Sequence, residues 1–112
     1  MRTVTSVVTT GRVDVNQWVT MYTVSVSEDG SKFVAVPCRK QGQSGSCIGN
    51  TDRTTRKLNP LKAYVQARYV RINVRAFSGY ASLRMGVEVC GEGSPDPACY
   101  VDARTTARTI AQ

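Results

Sequence analysis

Apolar and polar side chains alternate with a period of two along much of this chain, the spacing of a strand with one face buried. Residues Val4–Thr10 are rich in Val and Thr, whose branching at Cβ restricts the side chain and favours an extended backbone. From Trp18 to Val26 one face collects Trp18, Thr20, Tyr22, Val24 and Val26, and the other carries Val19, Met21, Thr23 and Ser25. Glu28-Asp29-Gly30-Ser31 reads as a turn, and Phe33–Val36 returns as a short strand that ends at Pro37. Between Arg39 and Pro60 the chain is polar and irregular, with Gly42, Gly45 and Gly49 breaking any period. A loop that long in a small domain has a function or packs on itself.

Alternation resumes in Arg68–Ala76, with Val70, Ile72, Val74 and Ala76 on one side and Tyr69, Arg71, Asn73 and Arg75 on the other. After a Ser78-Gly79 turn, Leu83, Met85, Val87 and Val89 form the apolar face of a last strand, opposite Ser82, Arg84 and Glu88. No convincing helical stripe precedes the tail. Short strands separated by turns predict an all-β fold, an antiparallel β-sandwich or barrel. Its core is expected to gather Trp18, Tyr22, Val24, Val70, Ile72, Leu83, Met85 and Val87.

The length of 112 residues fits one domain. We place it at residues 1–91, followed by a tail at 92–112 that opens on Gly93-Ser94-Pro95-Asp96-Pro97 and ends small and polar. The tail reads either as a short terminal helix or as an extended arm. No apolar run approaches the length needed to cross a bilayer, and Met1–Ser6 lacks the apolar stretch of a secretory signal.

Fifteen Lys and Arg against eight Asp and Glu give a net charge of +7. This favours anionic partners, although a solvated basic surface accounts for it equally well. Nucleic acid is disfavoured, because no binding motif accompanies the charge. Cys38, Cys47, Cys90 and Cys99 form two adjacent pairs that could each close a short loop. Other pairings, or four reduced thiols, remain open at this level. The spacing is wrong for a zinc site, and no histidine is present, so neither a metal nor a cofactor is implied. Without histidine the Ser-His-Asp arrangement is excluded, and no phosphate loop, dinucleotide fingerprint or nucleophile elbow is found. Catalysis has no positive support.

Five segments in order carry a resemblance: Val7-Val8-Thr9-Thr10-Gly11-Arg12, Gln17–Gly30, Gly49-Asn50-Thr51-Asp52, Ala67–Ile72 and Ser82-Leu83-Arg84-Met85, with Cys90 closing the series. Together they resemble the discoidin family, the module repeated at the C-terminus of coagulation factors five and eight. The resemblance spans roughly Val4 to Cys90 and implies a discoidin-like jelly roll at the cell surface or outside the cell. It implies a recognition or adhesion role toward a glycan or an anionic phospholipid membrane.

Two departures matter. The family's Leu-Arg-Met element usually continues with glutamate, whereas this chain has Gly86 there, so a buried Arg84 would need another partner. Family members also carry an N-terminal third, with a cysteine that bridges to the one at the module's end. Its absence here leads us to expect Cys38–Cys47 and Cys90–Cys99 bridges. It also leads us to expect a sandwich incomplete at the N-terminus, whose sheet another chain or segment would complete. Of the family's three ligand-binding loops, the one that matches this chain is Gly11–Gln17. The resemblance therefore nominates Arg12, Val13, Asp14, Val15, Asn16 and Gln17 as ligand-binding. The plain alternative is a hairpin connection with no further role.

Overall fold

The Val- and Thr-rich alternating segments become the strands of an antiparallel β-sandwich in the computed structural model, which describes residues 2–12 and 14–90. The strands are β1 (Arg2–Thr10), β2 (Trp18–Ser27), β3 (Val34–Val36), β4 (Cys47–Ile48), β5 (Lys57–Ala67), β6 (Tyr69–Ser78) and β7 (Arg84–Val89). One sheet runs in the order β5-β1-β7. The other centres on β2, with β6 along one side and β3 and β4 along the other. Val13, the tail at 92–112 and Cys99 lie outside the described residues.

Val4 and Val7 from one sheet meet Val19, Tyr22, Val24 and Val26 from the other, all in one buried cluster. Each such valine contributes roughly 1.5–3 kcal/mol by leaving water. Tyr22, Val24 and Val70 are buried as expected, while Ile72, Leu83, Met85 and Val87 pack on the core only partly buried. Trp18 departs from expectation: it is half-buried, and its neighbour Val19 is wholly enclosed. The cause is a pair of irregularities in the β2–β6 register, between Val19 and Met21 and between Met21 and Tyr22. They break the alternation, so Val19 reaches the core alongside Tyr22.

A second departure is β5, which occupies part of the stretch read as irregular. Pro60 and the inward Asn59 hid it. Proline is tolerated because β5 is the outer strand of its sheet, where one row of amides needs no partner. Asn59 is buried because its side-chain amide donates to the Tyr22 hydroxyl at 2.8 Å and to the Ile48 carbonyl at 2.8 Å.

These contacts close one side of the sandwich. Cys38 pairs with Leu61 in an isolated β-bridge there, the Arg39 amide donates to the Pro60 carbonyl, and the Lys62 amide donates to the Pro37 carbonyl. The Cys38–Cys47 disulfide sits in the same region, with both residues buried. Cys90 is also disulfide-bonded, but the expected Cys90–Cys99 pairing involves a residue outside those described. On the opposite side β6 and β7 are, among the described residues, the outer strands of their sheets; Val74 is 38% exposed there, and Ile72, Met85, Val87 and Val89 are partly buried against the core.

Candidate functional site

The nominated loop follows β1 and turns back into β2. Its neck is drawn together by the Arg12 amide donating to the Gln17 carbonyl at 3.0 Å, and within it the Gln17 amide donates to the Val15 carbonyl at 2.8 Å. Arg12, Asp14, Val15 and Asn16 are exposed, Gln17 is half-buried, and Val13 lies outside the described residues. Across the loop the Arg12 guanidinium grips Asp14 with two bonds, Nε to Oδ1 at 3.1 Å and Nη2 to Oδ2 at 2.8 Å. The Arg12 hydrogen bond is the main reason the Asp14 carboxyl is held below the usual range, with Arg53 adding a weaker attraction.

Two further loops flank this one. Gly11 is packed so closely that a Cβ there would lie 2.6 Å from the Gln17 carbonyl oxygen and 3.0 Å from the Cα of Arg53. The 49–56 loop therefore abuts the base of the 11–17 loop. Asn50, buried at its root, donates to the carbonyls of Thr9 at 3.0 Å and Thr55 at 2.8 Å, and accepts from the Thr9 hydroxyl at 2.8 Å. Asp52 holds the same turn from within: its carboxylate accepts the Thr55 amide, the Thr55 hydroxyl and the Thr54 amide, which together lower its pKa. The Gly49–Asp52 turn is thus held by its own side chains, as its composition suggests.

On the other flank lies the β6–β7 connection. Gly79 has φ of +78°, and a Cβ there would lie 2.5 Å from the Asn16 carbonyl oxygen. The Ser82 hydroxyl donates to Oε1 of Gln17 at 2.9 Å, fastening this hairpin to the central loop. Strand pairing puts Lys57 opposite Thr9 and Arg84 opposite Thr10, so both reach the same end of the sandwich. Arg84 is exposed and sits next to open space at Gly86, so its own charge is not buried and needs no partner.

Sequence reasoning nominated the central loop alone and missed its flanks, Arg53 and Tyr80 among them. The only legible hint was a Ser-Gly turn followed by an aromatic flanked by small residues, Ser78-Gly79-Tyr80-Ala81. The assembled surface carries Arg12, Arg53, Arg56, Lys57 and Arg84 against Asp14 and Asp52, whose carboxylates are already engaged. No group of three metal-ligating side chains forms among the described residues. What remains is a basic, hydrogen-bonding surface that can hold an anionic ligand.

Comparisons agree with this architecture. Retinoschisin of Takifugu rubripes is 27% identical over 89 residues, which cover 80% of this chain and 32% of that protein. The native structure of recombinant discoidin II of Dictyostelium discoideum superposes with a TM-score of 0.67 at 23% identity, over 80% of this chain and 34% of the other. A wild-type discoidin II structure from the same organism gives 0.63 at 23% identity, over 79% and 32%. The chain thus spans about a third of the length of these relatives. The family profile of the F5/8 type C domain matches residues 1–89, and this chain belongs to that family, the discoidin domains.

Proposed function

We propose that this chain is a non-catalytic recognition module that binds an anionic surface ligand, a glycan or a phospholipid headgroup, through the loops around Gly11–Gln17. The observation that carries the reading is the convergence of three anchored loops whose basic side chains outnumber their carboxylates. Charge alone would not give specificity, because exposed charges are screened within about 8 Å at physiological salt. The loop anchors favour it by fixing the loop backbones before a ligand arrives. The buried Cys38–Cys47 disulfide fits an oxidising compartment, hence a place outside the cell or at its surface.

The test is binding to glycans and anionic liposomes by the parent, Arg12→Ala and Asn16→Ala proteins, at low and moderate salt. A specific site loses affinity with either substitution. Binding that fades with salt and ignores Asn16 would reduce the interaction to diffuse charge and overturn the reading.

One observation favours a second role. The open β6–β7 side leaves two strand edges and a row of partly exposed apolar side chains, the kind of edge that accepts another strand. On this reading the chain is a structural element of a larger assembly, with the added strand drawn from another chain or from another part of the same protein.

A further inference from the structure

Arg71 leaves β6, crosses β2 and ends with its guanidinium carbon 3.7 Å from the ring centroid of Phe33, just before β3. The strand order requires that route, since β6 and β3 flank β2 on opposite sides. Arg71 pairs with Ser25 and Ser25 with Ala35, so the three stand in one row on the outward face of this sheet. Their neighbours Val24, Val26 and Val70 face the core. Asn73 closes over the same row, its carboxamide donating to the Ser25 hydroxyl at 3.2 Å. Along β2 the row lies seven residues from Trp18, hence roughly 20 Å from the Gly11–Gln17 loop.

The face is basic and has no carboxylate of its own. Strands β2, β3, β4 and β6 contain Arg71 and Arg75 but no Asp or Glu. Among the described residues no carboxylate stands within ion-pair distance of Arg71, and the Asp29 carboxylate is committed to its own turn through Ser27, Ser31 and Lys32. Stacking on Phe33 orders the Arg71 guanidinium in advance while leaving it exposed and charged. Further along the face, Met21 pairs with Ala76 on one side and with Ile48, 41% exposed, on the other.

We propose that this outward face docks an acidic protein segment, with Arg71 on its Phe33 support receiving one of the segment's carboxylates. A guanidinium already held against a ring loses little further freedom when it forms two parallel bonds to a carboxylate. An ordered Arg beside an aromatic ring, with Met21, Ile48 and Ala35 around it, is the composition of a protein interface. A sulfated chain fits less well. Arg71 and Arg75 are four residues apart on an extended strand, about 13 Å, which is wide spacing for a repeating polyanion.

The experiment presents the full chain to a random-peptide display library and measures the selected peptides by titration, alongside a sulfated hexasaccharide. We expect the selected peptides to be enriched in Asp and Glu. Changing those residues to Asn and Gln should weaken binding at least about tenfold, and so should Arg71→Gln in the protein. Phe33→Leu keeps an apolar cover but removes the ring, and should cost about threefold or more. Arg12→Ala should leave peptide binding unchanged, and the bound peptide should shift the amide resonances of Ser25, Ala35 and Asn73. Thermal transitions are recorded for every variant. Should Arg71→Gln be unstable, Arg71→Lys keeps the charge without the fork and should still lose several-fold. Failure to select acidic peptides would overturn the proposal, as would full-strength binding by folded Arg71→Gln or shifts confined to the Gly11–Gln17 loop. Hexasaccharide binding that depends on Arg71 would overturn it in favour of a polyanion. Each of these outcomes leaves the reading of the Gly11–Gln17 loops standing, because that reading is tested through Arg12 and Asn16.

Discussion

Asn50→Ala is the substitution that most directly tests how the core holds the loop end of the sandwich. The side chain is 3% exposed and joins the end of β1 to the 49–56 loop through three hydrogen bonds, two to Thr9 and one to Thr55. Alanine removes all three and leaves the Thr9 carbonyl without this buried donor, while the Thr9 hydroxyl keeps its contact with Tyr22 and the exposed Thr55 turns to water. A buried polar group without a partner costs about 1–3 kcal/mol. A water entering the vacated space restores part of that. The expected loss is therefore roughly 2–4 kcal/mol, or roughly 10–25 °C in Tm for a domain of this size. Calorimetry at one fixed protein concentration measures it, because association at an open edge makes Tm depend on concentration. Thr9→Val, which removes only the hydroxyl, should cost less, and the double variant should fall short of additivity by about 0.5–3 kcal/mol. A loss below about 0.5 kcal/mol, or strict additivity, would refute the claim that this pair anchors the loop.

Four other outcomes follow from the same structure. Replacing Cys38 and Cys47 together by Ser should lower stability by roughly 2–3 kcal/mol in denaturant titration, as opening so short a loop predicts. Burial pushes the Tyr22 hydroxyl up, so the protein should keep this stabilisation below about pH 10 and lose it as pH rises through the higher folded value. Tyr22→Phe should flatten that alkaline limb of the stability profile. Gly79→Ala should destabilise by about 1–3 kcal/mol and shift the amide resonances of Asn16 and Gln17, since its φ of +78° and the nearby Asn16 oxygen leave no relaxed position for a methyl. Last, the isolated chain should bind a hydrophobic dye or self-associate in sedimentation, and a dye-silent monomer with a sharp transition would count against an unfilled β6–β7 side.

The strands that could be read locally were those whose packing is local. β1 shows through its Val- and Thr-rich composition, being the central strand of its sheet and buried on both faces, whereas most of β2, β6 and β7 show in the alternation. The irregularities near Met21 do not show, because they accompany contacts made from afar: the amides of Gly49 and Asn50 donate to the carbonyls of Thr20 and Val19. β5 was masked by two residues that argue against a strand in isolation. Pro60 is harmless only on an outer strand, and Asn59 belongs inside only because Tyr22 and Ile48 are there to receive its amide. The site divides in the same way. Its central loop was accessible through motif order, whereas Arg53 and Tyr80 join it through tertiary proximity that no local pattern encodes.

Directional and non-directional contacts are also segregated in this fold. On the closed side, Asn59 to Tyr22 and Ile48 and the β-bridge between Cys38 and Leu61 specify which strand lies beside which. Buried hydrogen bonds do this because a wrong partner leaves a polar group stranded. Along β6 and β7 the apolar side chains Ile72, Met85, Val87 and Val89 are partly buried and Val74 is exposed; such contacts gain by covering apolar area and impose little register. The loop end is anchored chiefly through Asn50 to β1 and through Gln17 to Ser82, not through those apolar side chains. A strand added along β6 and β7 would thus stabilise the sandwich while leaving the loop geometry in place. Recognition at the end and assembly along the edge are therefore physically separable, and a protein built this way can carry both.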